Sequence, residues 1–381
     1  MLFQTYILVA LSFWIILSFW LILGRRKIRS LNKLQAPASF TEPEVVIILA
    51  VRNEQEKIGA TLEALCRLNY SHYRILVADD RSTDGTSAII SDLVQKHARI
   101  SQISPGILPS GWLGKNYALY TAYRHTSEEW LLFTDADVVY EPDSLRTIMY
   151  DVSCNGQDHV TVMPGIHTRS SWLNAALFSF FTLLEAKQRP WKAGVEGSGA
   201  FMGLGAFNLV RRSIYEKSGT HRSLALRPND DLELGKNIRQ AGGKQEYLYG
   251  LGLIGQEWYH SMAGFIRGLE KTSFSSYGYN VPAVLFSAVL PTLLLIVLPL
   301  PLSLLSGTPE NITAGILMLL SMLCITLTFR GMSVHWWYAL LIPWSGLLLA
   351  YTLANSMVRT LLQKGIYWRD RFYPLSELKG D

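Results

Sequence analysis

Residues 130–137 read Trp-Leu-Leu-Phe-Thr-Asp-Ala-Asp, an apolar run that ends on two carboxylates one residue apart. Such a run suits a strand buried on both faces. Residues 44–51 (EVVIILAV) and 73–78 (YRILVA) are of the same kind, and residues 100–103 form a shorter candidate. Between them, Ile58, Leu62, Leu65 and Leu68 recur at helical spacing. Residues 86–98 predict a second helix, with Ile89, Ile90 and Leu93 on one side, and residues 115–126 a third. Strands alternating with helices at this spacing predict an α/β sandwich with a mainly parallel sheet. Ligands of such sheets bind outside the carboxyl ends of the strands. Asp135-Ala136-Asp137 falls at one such end, and Asp79-Asp80-Arg81-Ser82-Thr83-Asp84-Gly85 at another.

Beyond residue 164 the pattern is less regular. Residues 194–205 (GVEGSGAFMGLG) are glycine-rich, and residues 206–217 read as a strand turning into a helix. Residues 231–241 predict a helix that Gly242-Gly243 ends.

Each acidic cluster has more than one reading. Asp135 and Asp137 can share a hard divalent cation, or simply occupy a turn. In the 79–85 segment, Asp84 or Thr83 can cap a helix while Asp79 or Asp80 accepts from a base or ribose. Gly111-Trp112-Leu113-Gly114-Lys115 opens a helix, whose backbone N–H groups and Lys115 suit a phosphate; a plain loop is the alternative. Asp230-Asp231 begins another helix, where acids favour the dipole. A carboxylate there can also take the proton of an attacking hydroxyl.

The 381 residues are 49% hydrophobic and only 17% charged, and the apolar ones are clustered. Residues 1–24, 281–306 and 311–329 carry no charge, and 333–358 hold only His335. Each approaches or exceeds the roughly 20 residues that span a bilayer. Residues 1–24 lack the short apolar stretch and cleavage site of a signal peptide. With Arg25-Arg26-Lys27 and Arg29 after them, they predict a retained anchor whose C-terminal end is cytoplasmic. Net charge is +5, with much of the excess at 25–33 and 359–371, which suits anionic lipid headgroups. No basic stripe with interleaved aromatics suggests nucleic acid, and no obligate protein partner is evident. Cys66, Cys154 and Cys324 lack metal-ligand spacing.

The expected organisation is an N-terminal anchor at 1–24, a basic linker at 25–43, and a nucleotide-binding α/β domain at 44–255. An aromatic interfacial segment at 256–280, membrane helices at 281–358 and a basic tail at 359–381 follow. Three spans after a cytoplasmic domain would put the C-terminus outside, yet Arg359, Lys364, Arg369, Arg371 and Lys379 favour the cytoplasm. Either 281–306, broken by Pro291, Pro299 and Pro301, enters and returns, or the two later segments are arranged otherwise.

Five motifs in order resemble the family 2 glycosyltransferases. They are Val51-Arg52-Asn53-Glu54, the 79–85 segment, Asp135-Ala136-Asp137, Gly203-Leu204-Gly205-Ala206-Phe207 and Asp230-Asp231-Leu232-Glu233-Leu234. The resemblance spans about residues 44–245. It implies a GT-A nucleotide-sugar-binding fold, use of Mg²⁺ or Mn²⁺, and inversion at the anomeric carbon. The Gly111–Lys115 segment, the anchor, the membrane block and the Tyr367–Arg371 tail are more similar to bacterial lipid glycosyltransferases of the hopanoid and carotenoid kind. Carried over by position, Asn53 and Glu54 line the nucleotide pocket and Asp79 or Asp80 meets the base or ribose. Asp135 faces the sugar nucleotide, Asp137 ligates the metal, and Lys115 lies near the donor phosphates. Asp231 takes the place of the catalytic base, and Asp230 that of the usual Glu.

The expected activity is transfer of one sugar, with a UDP-sugar the foremost donor, to a lipid or isoprenoid hydroxyl at a bacterial inner membrane. Gln256-Glu257-Trp258-Tyr259 is a shortened echo, without the Arg, of the Gln-x-x-Arg-Trp element of processive synthases. Polymer synthesis is therefore the alternative, beside a non-catalytic membrane scaffold that keeps the fold.

Overall fold

The computed structural model describes residues 1–31, 34–368 and 371–379. Lys33 of the basic linker, and Arg369, Asp370, Gly380 and Asp381 of the basic tail, lie outside the described residues. The chain divides into two units, one of residues 28–167 and 190–258, the other of 1–27, 168–189 and 259–381.

The first of these is the α/β unit. Its strands are β1 (Val45–Val51), β2 (Tyr73–Asp79), β3 (Ile100–Ile103), β4 (Trp130–Phe133), β5 (Val138–Tyr140), β6 (His159–Ile166), β7 (Asn208–Arg211) and β8 (Gln245–Gln256). They form one eight-stranded sheet in the order β3-β2-β1-β4-β7-β6-β8-β5. The β3-β2-β1-β4 half is parallel, as its apolar runs predict. β7 is antiparallel to both its neighbours, and β5 is antiparallel to β8. Val45 to Leu49 of β1 are wholly buried, because helices cover both faces of the sheet. Ile58, Leu62 and Leu65 pack on one face; Ala118, Leu119 and Ala122 pack on the other. The Gly114–Tyr123 and Asp230–Gln240 helices complete the frame that positions the site.

The other unit is helical. Four of its helices are long and apolar enough to cross a membrane: Leu2–Arg25, Val281–Leu305, Pro309–Thr328 and Tyr338–Gln363. The 281–306 segment, for which entry and return is one of two alternatives, holds the 25-residue apolar helix Val281–Leu305. Wider π turns at Leu285–Val289 and Thr292–Val297 accommodate the prolines, which have no N–H to give. Ser171–Gln188, in a stretch whose sequence reads as irregular, is an 18-residue helix of the same unit. Its run LNAALFSFFTLLEA is mostly apolar, with only Asn174, Ser179, Thr182 and Glu185 polar, so its period is weak.

A buried ion pair ties this unit together. Arg25 Nε donates to Glu185 Oε2 at 2.8 Å, and both side chains are only 1% exposed. The remaining guanidinium nitrogens donate to the Ile325 carbonyl at 2.6 Å and Thr182 Oγ1 at 2.9 Å. Removing one partner strands a buried charge, at a cost of about 3–5 kcal/mol, whereas an apolar pair of similar volume is nearly neutral. Glu185→Leu alone should therefore lower Tm sharply, and Arg25→Met with Glu185→Leu should recover most of the loss. A double variant less stable than Glu185→Leu would show that the carbonyl contacts of Arg25, not the pair, hold the helices.

Candidate active site

The ends of β1, β2 and β4 bring their acidic and polar loops to one edge of the α/β unit. Asn53 adopts a left-handed backbone (φ 55°), and its Oδ1 accepts from the Thr83 N–H at 2.8 Å. The Glu54 N–H donates to Thr86 Oγ1 at 2.8 Å. Both residues thus knit the β1 loop to the 79–86 loop. Asp79 is buried and accepts from the Ser82 N–H at 3.0 Å, so it shapes that loop. Asp84 Oδ1 accepts from the Thr86 N–H at 3.0 Å, a local bond at the start of the next helix. Asp80 is buried too, bonded to Arg81 at 2.5 Å and facing Gly114, where a Cβ would lie 2.2 Å from Asp80 Oδ2. Gly114 thereby lets the helix start approach the acid.

Asp135 and Asp137 follow β4. The Asp135 N–H donates to the Gly205 carbonyl at 2.9 Å, and its Oδ1 accepts from Lys115 Nζ at 3.0 Å. Asp137 lies between two residues the sequence did not single out for its pocket. Lys57 Nζ is 3.3 Å from Oδ2, and Gln256 Nε2 donates to Oδ1 at 2.9 Å. Pairing of Val138 with Gln256 across β5 and β8 sets the second contact. The only sequence sign of Gln256 is that it heads the shortened Gln-x-x-Arg-Trp echo. Burial raises the Asp137 pKa, and the charge of Asp135 raises it further, against Gln256 and Lys57. Two negative charges thus sit uneasily here, which is the condition a divalent cation relieves. Among the described residues no group of three or more metal-ligating side chains gathers. Two carboxylates nevertheless fit Mg²⁺, which usually keeps waters and takes phosphate oxygens beside one or two protein ligands.

Asp230 and Asp231 open the Asp230–Gln240 helix. Asp231 Oδ2 accepts from the Gly205 N–H and Oδ1 from the Leu232 N–H, both at 2.8 Å. Gly205 therefore holds one acidic cluster through its carbonyl and another through its N–H. Asp230 is buried, with Lys115 Nζ 3.5 Å from Oδ1. Burial pushes its carboxyl up to about 7; Lys115 opposes this, while Asp231 and Asp135 add to it. Lys115 spans both clusters. Burial works against its charge, yet Asp135, Asp230 and Asp231 together hold its pKa above the ordinary value.

The raised pKa has a stability sign. A carboxyl whose folded pKa exceeds its unfolded one favours folding at low pH and loses that contribution as pH rises through the folded value. Asp230→Asn should therefore raise Tm relative to the parent most at pH 8, less near pH 6, and least at pH 4, with no divalent cation added. A Tm difference independent of pH would mean that Asp230 is no more easily protonated in the folded chain than in the unfolded one.

Behind the base-like pair lies a buried network absent from the sequence expectations. Buried His159 has its pKa lowered to about 4, so it is neutral, donating through Nε2 to Asn208 Oδ1 at 2.9 Å and accepting at Nδ1 from Gln245 Nε2 at 2.7 Å. Gln245 Oε1 accepts from the Met202 N–H at 2.7 Å, and Thr161 Oγ1 from the Leu204 N–H at 3.0 Å. This network fixes the 202–205 loop that carries Gly205. His221, buried and lowered to about 3 by burial and by Lys115, bonds Tyr215 and packs on Phe133 beneath the same site. Isolated polar residues on strands give no sequence sign of such a cluster.

Residues 46–219 match the model of glycosyl transferase family 2. That segment is a family 2 glycosyltransferase segment, and the sheet and its helices form a GT-A-type fold. Among curated proteins the chain is 32% identical to a beta-monoglucosyldiacylglycerol synthase of Synechocystis sp. over 109 residues, 28% of this chain and 22% of that protein. It is 24% identical to a 4,4'-diaponeurosporenoate glycosyltransferase of Staphylococcus haemolyticus over 263 residues, 65% of this chain and 64% of that one. The chain thus spans less than two thirds of the length of these relatives. A mannosyltransferase from Pyrobaculum calidifontis, solved with GDP-Man and Mn²⁺, superposes with a TM-score of 0.55 at 15% identity, over 95% of this chain and 99% of that one. That likeness is one of fold.

Proposed function

We propose that the protein is a membrane-bound inverting glycosyltransferase that moves one sugar from a nucleotide-sugar donor, a UDP-sugar first of all, to a lipid or isoprenoid hydroxyl. The observation that carries the reading is the convergence of Asp135, Lys115, Asp230 and Asp231 around Gly205, in a chain that also has helices apolar enough for a bilayer. The names of the two curated relatives, one a lipid synthase and one a carotenoid-acid glycosyltransferase, favour an apolar acceptor. Asp137 with Asp135 would hold Mg²⁺ or Mn²⁺, which when bound neutralises charge on a diphosphate leaving group. Lys115 adds a positive charge beside the same carboxylates. Asp231 takes the proton of the acceptor hydroxyl. The acceptor hydroxyl oxygen attacks the anomeric carbon from the face opposite the diphosphate, the new C–O bond forms as the old one breaks, and the leaving diphosphate keeps the electron pair. One in-line displacement inverts the centre. The α/β unit works in the cytoplasm, a placement that the basic residues after the anchor favour.

Incubating membranes that contain the protein with nucleotide sugars and total lipids, then weighing the lipid products by mass spectrometry, tests this reading. One added hexose on a lipid is the expected result. A polymer ladder would favour the processive alternative, and donor untouched in every mixture would favour the scaffold.

A further inference from the structure

The helical unit contains a cavity of about 580 Å³, lined by Phe13, Leu17 and Trp20 of the first helix and by Leu295, Ile296 and Leu353 opposite, among others. Its walls are mainly apolar, with the hydroxyls of Ser287, Thr292 and Thr352 among them, and one end carries a charge. There Lys187 lines it, with its ammonium 3.8 Å from the centroid of the Tyr277 ring. No carboxylate among the described residues forms an ion pair with Lys187, so the Tyr277 ring offsets its charge only in part, in a mainly apolar wall.

The depth of this ammonium follows from its neighbours. Glu185, about half a helical turn before Lys187, is bonded to Arg25, and Arg25 begins the basic run that follows the anchor. Lys187 is therefore level with the end of the first helix, at headgroup depth by the positive-inside reading. From there the cavity follows the first helix back to Phe13. Twelve residues at 1.5 Å each carry it roughly 18 Å inward, into the hydrocarbon region.

We infer that this cavity binds a single-chain anionic amphiphile, its carboxylate on Lys187 and its chain along the first helix. Charge complementarity selects the anion, and the apolar walls select the chain. A volume of about 580 Å³ lies within the range that encloses one drug-sized molecule, which suits one chain and not two. The site stands on the helical unit alone and does not rest on the proposed reaction.

The test uses the full chain in non-ionic detergent with a photoactivatable C16 fatty acid. Label should enter peptides that contain residues 13–20 and 349–353. Palmitate should compete, whereas methyl palmitate and dipalmitoyl phosphatidylglycerol should compete at least tenfold less well. Lys187→Gln should weaken palmitate competition about tenfold and leave that of the ester unchanged, and Lys187→Arg should restore it. Equal competition by acid and ester in the parent would overturn the anion requirement. Phosphatidylglycerol competing as well as palmitate would overturn the single-chain assignment. Absence of label from those peptides in a protein of parental Tm would overturn the site itself.

Discussion

Asp231→Asn should abolish most sugar transfer while the donor still binds near its parental affinity. General-base catalysis contributes about 10²–10⁴-fold, and a fall of that size is the expected loss. The carboxylate accepts one N–H on each oxygen, from Gly205 and Leu232. An amide offers only one acceptor oxygen, so one N–H loses its partner, at about 1–3 kcal/mol if it stays buried. Tm must therefore be measured beside the rate. Rate loss with donor binding and melting close to the parent identifies proton removal. Full transfer by Asp231→Asn would take Asp231 out of that role.

The second large effect is expected at Gly203. A Cβ there would lie 1.9 Å from the Asp231 carbonyl oxygen, and one at Gly235 would lie 2.0 Å from that of Met202. These contacts are backbone against backbone, so no side chain can swing aside. Gly203→Ala should push the 202–205 loop off the Asp230–Gln240 helix and carry the Gly205 N–H away from Asp231. A displacement of about 1 Å in a catalytic group can cost 10²-fold, and transfer should fall at least that far. Gly197→Ala, at a position where a Cβ meets nothing but φ is +70°, is the control for backbone strain alone. Parental kcat in Gly203→Ala would mean that the loop and helix shift without consequence for the reaction.

The fold was legible where hydrophobic pattern and strand type agree. β1, β2 and β4 announce themselves as apolar runs because helices bury both their faces, and the loops after them are where parallel-sheet sites lie. β8 was not legible: its sequence QEYLYGLGLIGQ mixes tyrosines, glycines and polar residues without a continuous apolar run. The Ser171–Gln188 helix escaped for the opposite reason, being so largely apolar that its period is weak. At the candidate site, clustered acids stand out in a sequence, and Asp79, Asp80, Asp135, Asp137, Asp230 and Asp231 all did. Their partners do not stand out. Lys57, at the start of the Ile58–Cys66 helix, meets Asp137 across 80 positions, and Gln256 meets it across 119 through the β5–β8 register.

Lys115 touches Asp135 at 3.0 Å and approaches Asp230 to 3.5 Å, so one ammonium serves as counter-ion to both. Its charge cannot be committed twice. Any phosphate that draws Lys115 towards itself leaves Asp230 with less compensation and a stronger hold on a proton. By thermodynamic reciprocity, a proton on Asp230 frees Lys115 for phosphate. Donor arrival and protonation at the start of the Asp230–Gln240 helix are then one equilibrium seen from two ends, each favouring the other.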